Sequence, residues 1–231
     1  MIISHSKKFI FIKTNKTAST SLQVFLSQFL DKNIDIISKD LEQENKKIFE
    51  ISGIKDKNWD LSKSKFNFFN LFPKEKKKIF NHDATIKEII NFYGKEKLKD
   101  YYKITIVRNP FDQIISSFNW HNYFRKEYKN KDPLSIDKLI GKYSKNFFEK
   151  EKKKILYNNK IFFNQILKYE NLESDLELFL KKKKLNKKID LKDLKFKSEI
   201  PKKIKSLSQE QKKIVYKHAE FFFKNFYSQV D

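Results

Sequence analysis

The chain has 231 residues, with hydrophobic types at 39%, 24 of them Phe and 10 Tyr. That is enough for one domain with a real core and too much for a disordered chain. Cysteine is absent, which excludes a disulfide framework, a thiolate metal site and a cysteine nucleophile. The net charge of +22 points toward an anionic partner. However, abundant Lys, Asn, Ile and Phe beside scarce Gly, Ala, Pro and Arg also mark an AT-rich coding sequence, and a single domain over residues 1–231 is expected.

In chain order, Lys8-Phe-Ile-Phe-Ile-Lys13 reads as a first strand. It leads straight into a polar loop and leaves no room for a removable leader. No window holds the ~18 uncharged apolar residues of a spanning helix, so the expected location is the cytoplasm. Ser19 to Leu30 carries Leu22, Phe25, Leu26, Phe29 and Leu30 at the spacing of one helical face. Lys47–Ile51 reads as a strand, and Phe66–Phe72 as a core or lid cluster. Thr85–Phe92 is a helix stopped by Gly94.

Tyr101–Val107 is the strongest strand signal. Arg108-Asn109-Pro110 ends it, and Pro110 suits the first turn of a helix that runs to about Phe124. A lysine-rich helical stretch follows to about Asn159, then a strand at Ile166–Tyr169, a helix at Leu172–Leu180 and a closing helix from Ser208 to Tyr227. Alternating strands and helices predict an α/β fold with a mainly parallel sheet.

Two motifs carry chemistry. At the first strand's end, Lys16-Thr17-Ala18-Ser19-Thr20-Ser21 opens a helix, adding one cation and four hydroxyls to free backbone N–H groups: an anion site. A nucleotide-hydrolase P-loop needs spaced glycines and ends in Gly-Lys-Ser/Thr. Here the lysine precedes the hydroxyls and the glycines are missing, which argues against that chemistry. At the second strand's end, Arg108 and Ser116 sit eight residues apart and can converge on one phosphate. The guanidinium fork matches phosphate oxygens. Two such sites at the carboxyl ends of parallel strands predict a ligand with two separated phosphate groups.

At these residues the chain resembles the sulfotransferase superfamily, in particular its carbohydrate (heparan/uronyl-type) branch. Ile12–Ser21 resembles the family's 5′-phosphosulfate loop, and Val107-Arg-Asn-Pro-Phe-Asp-Gln-Ile-Ile-Ser116 its 3′-phosphate motif. Asn81-His-Asp-Ala-Thr85, Leu167-Lys-Tyr-Glu-Asn-Leu172 and the stretch from Leu207 resemble further family elements. Three positions depart from the usual pattern: Asn15 replaces a proline, Ser19 a glycine and Gln113 an arginine.

The resemblance implies a P-loop-like parallel sheet flanked by helices. It also implies a bacterial enzyme that moves a sulfuryl group from 3′-phosphoadenosine 5′-phosphosulfate to a hydroxyl of a glycan or glycolipid, without a metal. Lys16 would stabilise the leaving phosphate. Thr17, Ala18, Ser19, Thr20 and Ser21 would hold the 5′-phosphosulfate, Arg108 and Ser116 the 3′-phosphate, and Tyr169 would lie near the adenine. His82 is the candidate base, with His121 its rival in an aromatic stretch from Phe118 to Phe124. The basic run Lys195–Lys203 is a candidate cover for the nucleotide. Segments 31–80 and 118–160 are expected to shape the acceptor pocket. The alternatives are a lysine-driven nucleic-acid or polyanion binder, which leaves both motifs unexplained, and a small-nucleotide kinase.

Overall fold

A computed structural model describes residues 1–38, 42–54, 83–194 and 204–227. Its centre is a five-stranded sheet of β1 (Ile2–Ser4), β2 (Phe9–Ile12), β3 (Ile36–Ile37), β4 (Tyr102–Val107) and β7 (Gln165–Lys168), in the order β3-β1-β2-β4-β7. The strands β2, β4 and β7 are parallel, with Ile12 opposite Thr105 and Val107 opposite Lys168. The other two, β1 and β3, add an antiparallel edge. The α/β architecture, with helices flanking a sheet whose pairings β2·β4 and β4·β7 are parallel, agrees with the fold class read from the sequence.

Alternation along β2 sorts the core. Phe9 and Phe11 pack with Ile104, Ile106 and Leu167 against α1 (Ser19–Ser27), α2 (Glu42–Ser52) and α6 (Leu172–Lys183). Ile10 and Ile12 face the opposite way, onto Ile86, Ile89 and Ile90 of α3 (Ile86–Tyr93). Successive strand side chains point to opposite faces. All four β2 residues are buried because helices cover both faces. A third cluster joins Val107 to Ile114 of α4 (Pro110–Lys129), Phe148 and Ile155 of α5 (Ile136–Ile155), Val215 of α7 (Gln209–His218) and Phe222 of α8 (Glu220–Phe226).

Local signals explain the element boundaries. Thr85 and Glu88 form a reciprocal capping box at the start of α3, and Gly94 ends it at φ 83°. Pro110 occupies the first turn of α4. Ser208 and Gln211 cap α7 in the same reciprocal way.

Three expectations need correction. Residues 47–51 are helical, inside α2: Glu44 and Ile48 are one turn apart and both buried, so packing on α1 overrides the local β-propensity. The closing helix is two helices that meet at Ala219 (φ −103°, ψ 13°). The lysine-rich helix stops at Ile155, and a hairpin of β5 (Leu156–Tyr157) and β6 (Lys160–Ile161) turns through Asn158 and Asn159, both at positive φ. Asparagine tolerates that conformation best among non-glycine residues. The Phe66–Phe72 cluster lies outside the described residues.

Phe179 of α6 is fully buried and meets Phe9 edge to face at 5.5 Å, joining helix to sheet. Phe179→Ala is expected to cost about 3–5 kcal/mol of unfolding free energy in a urea titration. A loss below 1 kcal/mol would show that this layer contributes little.

Candidate functional site

The carboxyl ends of β2, β4 and β7 converge on a cavity of about 2010 Å³. This is where open α/β sheets bind ligands, since each strand delivers a helix start there. Lys13 and Lys16 follow β2, Arg108 follows β4 and Tyr169 follows β7; all four line the cavity. So do Ala18, Ser19, Thr20, Ser21 and Ser116. The two motifs, about ninety residues apart in the chain, are thus brought into one space.

The first loop does without glycine by accepting strain. Lys16 (φ 62°) and Ala18 (φ 60°) both adopt the left-handed conformation, which costs about 1–2 kcal/mol for each side-chain-bearing residue. Hydroxyls and amides hold the loop there. Thr17 Oγ1 donates to the Thr14 carbonyl at 3.0 Å, and Ser19 Oγ donates to the same oxygen at 2.6 Å. Thr14 Oγ1 in turn donates to the Ile106 carbonyl of β4. Gln113 Nε2 donates to the Asn15 carbonyl at 2.7 Å, and Arg108 Nη1 to the Lys16 carbonyl at 3.2 Å.

The hydroxyls therefore divide into two groups. Those of Thr17 and Ser19 build the loop, and Thr17 is fully buried and does not line the cavity. Thr20 and Ser21 remain on the cavity wall. Ala18 stands at the N-cap of α1 with no side-chain cap, so the first N–H groups of that helix are open to an anion.

Arg108 lies with Cζ 4.2 Å above the Tyr169 ring. Its Nε is buried without a hydrogen-bond partner among the described residues, an arrangement that costs stability unless a ligand supplies the acceptor. Glu170, next to Tyr169, accepts from the Asn109 N–H at 2.7 Å and from Tyr227 Oη at 2.9 Å. The residue after each strand is thereby tied to its neighbour. Gln113 is buried and its amide serves the loop.

Several residues at the site escaped the sequence reading. Lys13 is buried and donates to Thr20 Oγ1 at 3.3 Å. Glu151 and Lys154 of α5 reach the loop from a helix that reads as merely lysine-rich. The wall formed by Tyr143, Phe147, Lys150 and Lys154 follows i, i+4, i+7, i+11 spacing along α5, a signal that was present but indistinguishable from a solvated face.

His82 and the run Lys195–Lys203 lie outside the described residues. Asp83, the next residue after His82, lines the cavity and pairs with Lys154 Nζ at 2.7 Å. His121 does not line the cavity; its ring lies 5.5 Å from that of Tyr143, and its Nδ1 is buried without a partner among the described residues. Burial holds its imidazole below the ordinary value, and Arg125 and Lys129 push the same way.

A comparison with family models agrees with the geometry. The chain belongs to the sulfotransferase family: the family model described by that name matches residues 1–229. Searches of curated proteins and of solved structures found no match.

Burial also lowers His5, bonded to Tyr101 Oη, and His218, bonded to Ser144 Oγ. A histidine whose folded pKa is depressed binds fewer protons folded than unfolded. Its contribution is present above the unfolded value and lost as pH falls through the folded one. Urea midpoints are expected to drop on going from pH 7.5 to pH 5, and to drop less in the His5→Gln/His121→Gln/His218→Gln variant. A midpoint that is flat or rises on acidification would contradict this.

Proposed function

We propose that the chain transfers a sulfuryl group from 3′-phosphoadenosine 5′-phosphosulfate to a hydroxyl of a glycan or glycolipid. One observation carries the reading: two anion sites of different construction face one cavity from adjacent parallel strands. These are the uncapped start of α1 with Lys16, and Arg108 with Ser116. The orphaned Arg108 Nε fits a phosphate acceptor. Ser116, on the same cavity wall, would share that phosphate.

Lys16, Thr20, Ser21 and the backbone N–H groups of Thr17, Ala18 and Ser19 would hold the 5′ end. Tyr169, whose ring carries the guanidinium on one face, would lie near the adenine. The donor supplies an activated sulfuryl group: the acceptor oxygen bonds to sulfur as the sulfur–oxygen bond to the 5′-phosphate breaks. Lys16 and the positive end of α1 neutralise charge that develops on the departing phosphate oxygen. The acceptor's proton passes to a base, for which His82 is proposed because its chain neighbour Asp83 is held at the cavity by Lys154. Positive charge from lysine and helix does the work that magnesium does in phosphoryl transfer, so activity in the presence of chelator separates this reading from a nucleotide kinase.

The α5 wall supports a sugar acceptor. Tyr143 and Phe147 bring aromatic rings to it, against which a pyranose can pack, and Lys150 and Lys153 bring charge for an anionic one.

A thermal-shift titration with the product nucleotide, adenosine 3′,5′-bisphosphate, tests the site. At ten times Kd, binding is expected to stabilise the protein by about 1.4 kcal/mol. Arg108→Ala is expected to raise Kd at least about tenfold, whereas His82→Ala should bind as wild type. Unchanged melting of the wild type at millimolar nucleotide would overturn the reading.

A further inference from the structure

Residue 15 stands where the family usually has proline, and proline has neither an N–H nor a polar side chain. In this chain the N–H, the side-chain Nδ2 and the carbonyl of Asn15 are all engaged. The Asn15 N–H donates to Glu151 Oε2 at 2.7 Å and Asn15 Nδ2 donates to Glu151 Oε1 at 2.8 Å. Its carbonyl accepts from Gln113. Glu151 is fully buried, and Lys154, 3% exposed, places Nζ 3.0 Å from Glu151 Oε1 and 2.7 Å from Asp83 Oδ1. A carboxylate, a lysine and a second carboxylate therefore run in series from the loop to the residue beside His82.

A buried carboxylate is costly unless its oxygens are fully used. Burial pushes the Glu151 carboxyl up, while Lys154 and the Asn15 N–H oppose that. Three donors converge on its two oxygens, and protonation would set an O–H against a donor. For Lys154, burial acts downward, but Glu151 and Asp83 outweigh it and hold the ammonium charged. A proline at 15 would remove both bonds and leave the carboxylate with Lys154 as its one remaining partner among these contacts. In return, the carboxylate clamps the residue that precedes the strained Lys16.

We propose that Glu151 is a positioning residue for the 5′-phosphosulfate loop, acting through Asn15 to hold Lys16 in its left-handed conformation. The proposal rests on the sulfotransferase reading of the cavity. It also makes Asn15 and Glu151 a coupled pair: an asparagine at 15 compensates for a buried glutamate at 151.

The test compares two nucleotides by calorimetry, with the weaker one measured by displacement. Adenosine 3′,5′-bisphosphate reports the 5′ loop and the Arg108 site together; adenosine 3′-monophosphate reports the Arg108 site alone. Glu151→Gln is expected to weaken the bisphosphate about tenfold and to leave the monophosphate within about twofold. The sign is diagnostic, because removal of a negative charge near a phosphate would by itself tighten binding. Asn15→Asp, which sets two carboxylates face to face, is expected to weaken the bisphosphate at least as much. Asn15→Asp combined with Glu151→Gln restores a donor–acceptor pair of reversed polarity and is expected to recover most of the loss.

Equal weakening of both nucleotides, or no recovery in the double variant, would make Glu151 a general structural residue and overturn the proposal. Unchanged or tighter bisphosphate binding would overturn it too. Should Glu151→Gln fail to fold, Asn15→Ala at a half-buried position removes one of the two bonds, and the same selective loss is expected. A wild type that binds neither nucleotide would fail the sulfotransferase reading itself, a result distinct from each of the others.

Discussion

A five-residue turn under strain is the constraint on which the rest of the site depends. Between Thr14 and Ala18 the chain must leave β2, expose backbone N–H groups to the cavity and enter α1, and it does so with two side-chain-bearing residues at positive φ. Such a conformation persists only where its surroundings over-determine it. Here they do, through contacts from β4, α4 and α5. The loop is a junction at which three distant segments meet.

That junction accounts for an otherwise odd distribution of polar groups in the core. Glu151, Gln113, Thr14 and Thr17 are all buried, and each has a bond to the loop backbone or within it. Buried polar groups bonded in this way specify one arrangement more sharply than apolar packing does. The apolar clusters supply bulk stability, while the polar ones decide where Lys16 and the helix start are held. The cost falls on residues such as Arg108 and Gln113, each of which keeps one buried atom without a partner among the described residues.

Much of the fold was legible from pattern alone. The β2 and β4 strands, the caps at Thr85 and Ser208, Pro110 at a helix start and Gly94 at a helix end are all local physics, written within a few residues of one another. Where two local readings competed, sequence reasoning failed. Lys47–Ile51 carries the residues of a strand, and only the docking of Ile48 onto α1 made it helical. The hairpin at Asn158-Asn159 is too short to show a period, and the break at Ala219 leaves no breaker residue to read.

The site divides along the same line. Motif spacing alone was enough to put Lys16–Ser21 and Arg108 at the ends of strands, where helix starts turn backbone N–H groups outward, and both line the one cavity. Tertiary structure decided which hydroxyls face the ligand space and which are consumed inside the loop. It also decided that Gln113 supports the turn, and that Glu151 and Lys154 belong to the site at all. Gln113 and Glu151 reach the loop across 98 and 136 residues, and Glu151 does so from a helix whose local sequence reads as an ordinary charged one. A charge on a helix acquires a role only when folding removes it from water and presents it with one particular partner.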